Sequence, residues 1–319
     1  MRFAFITAAL LLAASPGALA AQDSVSLSLP ESVPSDIFSG SRSKDVLVAQ
    51  VLLDRSRFSP GVIDGYTGEN TRRAIRAFQR ANGMEETGKV SSELLEKLSD
   101  GNADSIVQTY TISDEDVGGP FVDIPSSMTA MAKLDHLAYE TPLELLAEKF
   151  HMDQEFLKAL NPGADFGKAG TKINVIAPGD EDLPEKVARI EIDKANESVR
   201  AYSEGGKLLA RYPATIGSST FPSPSGTVQV KAIAADPKYY FDPEGRDWGP
   251  DEKLTIAAGP NNPIGGTWID LSKEGYGIHG SPDPSKVGKR ASHGCVRLTN
   301  WDASELARAV NTGATVEFI

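Results

Sequence analysis

The chain holds one cysteine and four histidines, and the cysteine and two of the histidines fall within Tyr276 to Trp301, YGIHGSPDPSKVGKRASHGCVRLTNW. A lone cysteine cannot form an internal disulfide, so its place beside His-Gly calls for another account. Cys295 follows Ser292-His293-Gly294, and His279 lies 16 residues upstream beside Gly280. A thiol with a pKa near ~8.5 is mostly protonated at neutral pH and becomes a useful nucleophile when an imidazole takes its proton. His293 is two residues from the thiol, on the same face if the segment is extended, and too near in sequence for an easy in-line hydrogen bond. His279 arrives from a different segment and is the expected base; His293 is expected to shape the pocket.

Gly294 has no β-carbon, so a substrate could approach the backbone closely. The N–H groups of Gly294 and Cys295 are the expected donors to a developing oxyanion. Arg297 lies two residues beyond the thiol, where its guanidinium would either bind a substrate carboxylate in bidentate fashion or sit in an internal salt bridge. Ser292, Gly280 and Tyr276 complete the candidate pocket; for Gly280 a turn or a close backbone contact competes with a catalytic role. One cysteine and two histidines could supply three metal ligands, yet no carboxylate partner for them is visible at metal-site spacing, so neither a metal nor a cofactor is expected. His136 and His151 likewise lack partners at ligand spacing and read as helix-surface or interdomain residues.

Stepping outward from this stretch, residues 186–319 have β texture. Val187 to Asp193 and Ser198 to Ser203 alternate, Glu204-Gly205-Gly206-Lys207 is a tight-hairpin signal into Leu208 to Ile216, and Gly226 to Ile233 is a further strand. Gly217 to Ser225 and Tyr239 to Lys253 are loops long enough to wall a substrate site. Trp301 to Asn311 reads as a helix with Thr299 and Asp302 at its start and Gly313 as its stop, followed by a strand over Thr315 to Ile319.

The N-terminal end reads as a secretory signal over residues 1–20: Met1-Arg2, an apolar run from Phe3 to Ala14, and the small-x-small site Ala18-Leu19-Ala20. The run is shorter than the roughly 20 residues of a membrane span, so no transmembrane anchor is expected after cleavage. A net charge of −12 without a basic stripe argues against nucleic acid as a partner. Residues 21–41, rich in Ser, Pro and acidic side chains, read as a flexible tether. Residues 42–100 carry three helical patterns, with Val46, Ala49, Gln50 and Leu53, then Ala74, Ile75, Phe78 and Ala81, then Leu94, Leu95 and Leu98 facing one small core. Residues 101–133 have linker composition. Residues 134–180 hold two short helices and the alternating Lys172 to Ala177, with Asn161-Pro162-Gly163 stopping the second helix.

Three resemblances attach to these units. Gln50, Pro60-Gly61-x-x-Asp64-Gly65, Gly68, Thr71, Phe78-Gln79, Gly83 and Thr87-Gly88 resemble the small helical peptidoglycan-binding domain found beside many cell-wall enzymes. Leu143, Ala147, Phe150, Leu160-Asn161-Pro162, Gly170, Ile173 and Val175 resemble a LysM module, a glycan-binding βααβ unit, with Glu140-Thr141-Pro142 in place of the usual opening Gly-Asp-Thr. Pro222-x-Pro224-x-Gly226, Gly259-Pro260-Asn261-Asn262-Pro263-Ile264-Gly265, Ile278-His279-Gly280 and Ser292-His293-Gly294-Cys295-Val296-Arg297-Leu298 resemble the YkuD-type L,D-transpeptidase domain. Arg297 stands where some members have asparagine and others arginine.

The expected architecture is therefore a multidomain α+β chain: a three-helix peptidoglycan-binding domain, a LysM-like module and a mainly-β catalytic domain. The resemblance implies an exported, periplasmic, wall-associated enzyme whose partners are peptidoglycan stem peptides and glycan. It implies that Cys295 attacks a tetrapeptide stem, releases the terminal D-alanine and passes the thioester to an amine to form a cross-link. The alternatives are a hydrolytic L,D-carboxypeptidase on the same stems and a non-catalytic wall-binding scaffold.

Overall fold

The computed structural model describes residues 29–30, 33–100, 105–180, 182–218, 220–245, 248–289, 292 and 294–319. The expected signal segment, residues 21–28 of the expected tether, and His293 lie outside the described residues. None of the described helices is long and apolar enough to cross a membrane.

Three helices open the ordered chain: α1 (Lys44–Arg55), α2 (Glu69–Ala81) and α3 (Ser92–Ser99). On α2 the apolar Ala74, Ile75 and Phe78 are buried while Arg72, Arg76 and Arg80 stay toward solvent, so the 3.6-residue period sets its orientation. Ser91 caps α3 by accepting from the Leu94 N–H at 3.2 Å. The loop between α1 and α2 is pinned by Gln50, whose Oε1 accepts from Asp64 and Gly65 N–H groups and whose Nε2 donates to Asp64 Oδ1 and Thr71 Oγ1. Gln79 repeats the device on α2, clamping Thr87 and Gly88. These residues of the helical resemblance thus hold the fold's turns.

The middle unit comprises β1 (Val107–Thr111), α4 (Asp114–Val117), α5 (Met128–Met131), α6 (Pro142–Lys149), α7 (Gln154–Leu160) and β2 (Lys172–Ile176), with β1 antiparallel to β2. This corrects the expected linker over 101–133, which contains β1 and two short helices. The polar sequence VQTYT hides the strand because only Val107 is buried. Residues 33–41 are also more than a tether: Val33 is buried, and Ile37 and Phe38 pack on the same core. That core is continuous from Leu47 through Leu94 and Leu157 to Ile176, so the helical and middle units share one interior. A leucine-to-alanine truncation there, at Leu94 for example, should cost about 2–5 kcal/mol.

The C-terminal region is an eight-stranded mixed sheet with its own core. Its strands are β3 (Val187–Asp193), β4 (Ser198–Tyr202), β5 (Leu208–Pro213), β6 (Gly226–Ala235), β9 (Thr267–Leu271), β10 (Gly277–His279), β11 (Val296–Arg297) and β12 (Val310–Phe318), in spatial order β11-β10-β9-β6-β12-β3-β4-β5. The hairpin β7 (Tyr239–Phe241) and β8 (Leu254–Ile256) brackets the long excursion between β6 and β9. Helix α8 (Asn300–Ala309) starts on Thr299, which accepts from the Asp302 N–H at 3.2 Å. The helix ends at Ala309 rather than Asn311, and Gly313 is not its stop. It passes directly into β12, where Gly313, at φ +88°, sits in the register shift opposite β3.

Both ends of the sheet are covered. Beyond β5 the chain turns back, and Thr215 and Arg297 exchange N–H···O bonds of 2.9 Å across to β11. The outer side of β5 is met by the helical unit: Ser59 N–H donates to the Arg211 carbonyl at 2.9 Å and Arg211 N–H to the Arg57 carbonyl at 2.8 Å. Backbone groups that an edge strand would expose are thereby used to join two units. The middle unit is seated on the Gly259-Pro260-Asn261-Asn262 segment, where Leu137 N–H donates to the Ala258 carbonyl and Asn261 Nδ2 reaches Glu144 Oε1 at 2.9 Å.

Candidate active site

Strand β10 positions His279 and strand β11 follows directly on Cys295. The two strands are parallel, with Ile278 opposite Val296 and His279 opposite Arg297. Burial alternates through Gly294 to Leu298: Val296 and Leu298 point into the core, while Cys295 and Arg297 are partly exposed. Period-2 geometry therefore puts the thiol, the imidazole and the guanidinium on one face of the sheet. Trp268 on β9, opposite His279 in register, stacks on the imidazole at 5.7 Å and 24°. Nothing local to Trp268 in the sequence marks this role; it emerges only from strand pairing.

His279 is 2% exposed, and its Nδ1 lies 2.7 Å from the Gly280 carbonyl. That carbonyl can only accept, so Nδ1 carries the proton and Nε2 is left as the basic nitrogen. Burial first, and then the Arg297 charge, push the imidazole down to about 3, against the pull of the Gly280 and Ile264 carbonyls. The ring is therefore neutral at pH 7. The Cys295 thiol donates to the Gly275 carbonyl at 3.7 Å, and among the described residues no hydrogen bond joins Cys295 to His279.

Gly294 has φ +111°, and a β-carbon there would strike the Tyr276 ring at 2.8 Å. Only glycine gives the turn into Cys295 without displacing Tyr276. The Gly294 N–H donates to Ser292 Oγ at 3.2 Å, and Ser292 Oγ in turn donates to the Cys295 carbonyl at 2.5 Å. Ser292 is buried and braces this turn from within. Ser223, from the loop over residues 217–225, donates to the Gly294 carbonyl at 2.6 Å, which brings that loop against the residue before Cys295. Gly280 has a steric reason of its own, because a β-carbon on it would overlap Asn300 Oδ1. Asn300 Oδ1 accepts from Ser281 N–H at 3.1 Å and Gly266 N–H at 3.3 Å, holding the segment that follows His279. Its Nδ2 donates to Glu148 of the middle unit at 3.0 and 3.3 Å.

Arg297 Nε is buried without a partner, and the side chain makes no salt bridge among the described residues. The internal ion pair that the sequence left open is absent there. Of the expected site residues, Cys295, His279, Gly294, Arg297, Tyr276, Ser292 and Gly280 converge on the β10–β11 edge. The described residues include no cluster of histidine, cysteine and carboxylates able to hold a metal.

A second histidine, half-buried, lies at the junction of all three units. His151 Nδ1 is 3.1 Å from Asp54 Oδ2, and its ring stacks on Trp301 at 4.9 Å and 11°. A cavity of about 430 Å³ beside it is lined by Asp54, Glu148, Asp302 and Glu305 among others, and neither Cys295 nor His279 lines it.

Residues 187–318 match the L,D-transpeptidase catalytic domain, and residues 42–98 match a putative peptidoglycan binding domain. The putative L,D-transpeptidase YkuD of Bacillus licheniformis is 30% identical over 174 residues, which are 54% of this chain and 91% of that protein. The probable L,D-transpeptidase YbiS of Escherichia coli is 32% identical over 186 residues, 56% of this chain and 60% of its own length. Among solved structures, an L,D-transpeptidase from Mycobacterium smegmatis aligns over 47% of this chain and 63% of its own, with 20% identity and a TM-score of 0.35. The chain belongs to the L,D-transpeptidase family.

Proposed function

We propose that this chain is an exported enzyme, acting in the periplasm, that cross-links peptidoglycan stems through Cys295. The thiol gives its proton to His279 Nε2, and sulfur adds to the carbonyl of an L-centred residue in a tetrapeptide stem. The tetrahedral oxyanion is met by the Gly294 and Cys295 N–H groups; the Gly294 donor turns from Ser292 Oγ as the charge develops, a contribution on the order of 10²–10³ in rate. Collapse breaks the peptide bond, the proton on His279 passes to the departing amine, and D-alanine leaves a thioester on Cys295. The side-chain amine of a second stem then attacks, an amide forms, the C–S bond breaks and the thiol is regenerated.

The observation that carries this reading is Arg297. Among the described residues it is a guanidinium without a counter-ion, its Nε buried and unpartnered, on the same sheet face as the thiol and a neutral imidazole, where a substrate carboxylate would complete it. The same carboxylate would offset the charge that depresses His279 and so strengthen the base on binding. The helical unit supplies the wall-binding partner surface, and the middle unit is the LysM-like element of the same wall-directed assembly. Its paired β1 and β2 flanking α6 and α7 support that reading.

Incubating the mature protein with purified disaccharide-tetrapeptide, with and without a second stem, tests it by mass spectrometry. Free D-alanine together with a stem dimer is expected, and Cys295→Ala should give neither. Trimmed monomer alone in the presence of acceptor would mean that water takes the acyl group. Untouched stems would remove the activity altogether.

A further inference from the structure

A small cleft between α2 and the β4–β5 edge of the sheet is walled by Arg73, Arg76, Arg80, Arg200 and Arg211, and no acidic side chain lines it. In a chain of net charge −12 this is a concentration of positive charge that general solubility does not require. Four of the five guanidinium groups have their own carboxylates: Arg73 with Glu197 at 2.6 Å, Arg76 with Glu69 at 3.4 Å, Arg80 with Glu86 at 2.6 Å, and Arg200 with Glu191 at 3.0 Å. Those carboxylates lie outside the cleft lining and hold the arginines in position.

Arg211 differs from the rest. It is 2% exposed and makes no salt bridge among the described residues; its one side-chain hydrogen bond runs from Nη1 to the Ser59 carbonyl at 3.1 Å. A guanidinium offers five N–H donors, so most of this one's capacity is unspent. Its backbone is fixed on both sides by the strand-like contact with residues 57 and 59, so the side chain has little choice of position. Burial, joined by the like charge of Arg73 and then of Arg200, pushes Arg211 down to about 9, against the pull of Asp302 and Asp193. A buried charge left in that state is costly to the fold unless something compensates it.

We propose that this cleft is an oxyanion-binding site, closed by α2 of the helical unit on one side and by β4 and β5 of the catalytic sheet on the other. Its volume of about 50 Å³ decides the ligand's size. One ordered water occupies roughly 10–15 Å³ on such a measure, so the cleft is of a size for one carboxylate or phosphate head. Planar guanidinium forks suit both oxyanions. Because the donors come from two units, an anion bound here ties the wall-binding unit to the catalytic domain. The inference stands on these residues alone and does not depend on the transpeptidase chemistry.

Thermal unfolding of the full chain tests it, with sodium chloride replaced by sodium phosphate at constant ionic strength. For millimolar affinity, phosphate at about twenty times the dissociation constant should raise the midpoint by roughly 3–7 °C. Arg211→Met keeps the shape, loses the buried charge and should show no phosphate response. Arg76→Gln alters a partly exposed side chain that the fold tolerates and should cut the response at least threefold. It decides the matter if the first variant does not fold. Glycerol phosphate and N-acetylalanine then separate the two sources of the group, a phosphate-bearing polymer or a peptide carboxylate. No rise over chloride with any of these anions, or an undiminished rise in Arg76→Gln, overturns the site.

Discussion

His279 and His151 are placed alike and behave oppositely. Each imidazole is largely enclosed, each stacks on an indole, and each commits Nδ1 to a neighbouring oxygen. Burial lowers both, since it disfavours the cation. At His279 the oxygen is a neutral carbonyl and the adjacent charge is Arg297, so the ring is driven to about 3. At His151 burial is outweighed by the Asp54 carboxylate, with Asp302 and Glu305 adding to it, and the ring rises above its ordinary value. The charge of the partner, rather than enclosure, therefore separates a neutral imidazole from an ionic rivet between units.

The largest effect that probes this contrast is on the acceptor side. His279→Gln removes the basic nitrogen and should lower acylation of a tetrapeptide stem by about 10²–10⁴, the range of general base catalysis. Circular dichroism should show the fold retained; an acylation rate within threefold of the parent would mean that another group takes the thiol proton. Next in size, Arg297→Met removes the charge that depresses His279. The acid limb of the pH–rate profile should move upward toward 6.5, while kcat/KM for stems bearing free carboxylates falls by about 10–100-fold, the worth of a charge-assisted hydrogen bond. A profile that stays in place would leave burial alone as the cause of the low value.

The candidate-site end of this contrast is marked in the sequence by a thiol, an imidazole and their glycines within one short stretch, whereas the common face of Cys295 and His279 comes from the parallel pairing of β10 and β11. The hairpin at Glu204 to Lys207 and the helix after Thr299 were legible for the same local reasons. The junction end was not. Hydrophobic periodicity shows which face of α1 or α7 is buried but not against which partner, so the shared interior of the helical and middle units left no mark. Glu148 on α6 is buried against Asn300, a pairing set by how two units dock. Strand β1 was missed because its outward residues are polar on a two-stranded ladder.

Smaller effects test the rivet. Asp54→Asn removes the charge that holds His151 up, and burial then carries that ring below its ordinary 6.5. A raised histidine contributes stability that is fully present below 6.5 and lost as pH climbs through its folded value. The variant should therefore be destabilised by about 1–3 kcal/mol at pH 6 and by less at pH 9, measured by denaturant unfolding. Equal losses at both pH values would show that the pair is a plain hydrogen bond.

The smallest expected change is in Glu148→Gln. Burial first, then the nearby Glu144, raises Glu148 to about 8, against the Asn300 and Tyr139 hydrogen bonds. Its folded value lies above its unfolded value of 4.5, so the native state holds the proton longer and stability falls as pH rises from about 4.5 through 8. At pH 6 the carboxyl is neutral and an amide oxygen can still accept from Asn300, so the substitution should cost less than about 1 kcal/mol. At pH 9 the parent carries a buried charge that the variant lacks, and the variant should melt higher. Because Asn300 also holds the Ser281 and Gly266 N–H groups beside His279, the acylation rate of the parent should decline over the same pH interval and that of the variant should not. A parallel decline in both would separate the junction from His279.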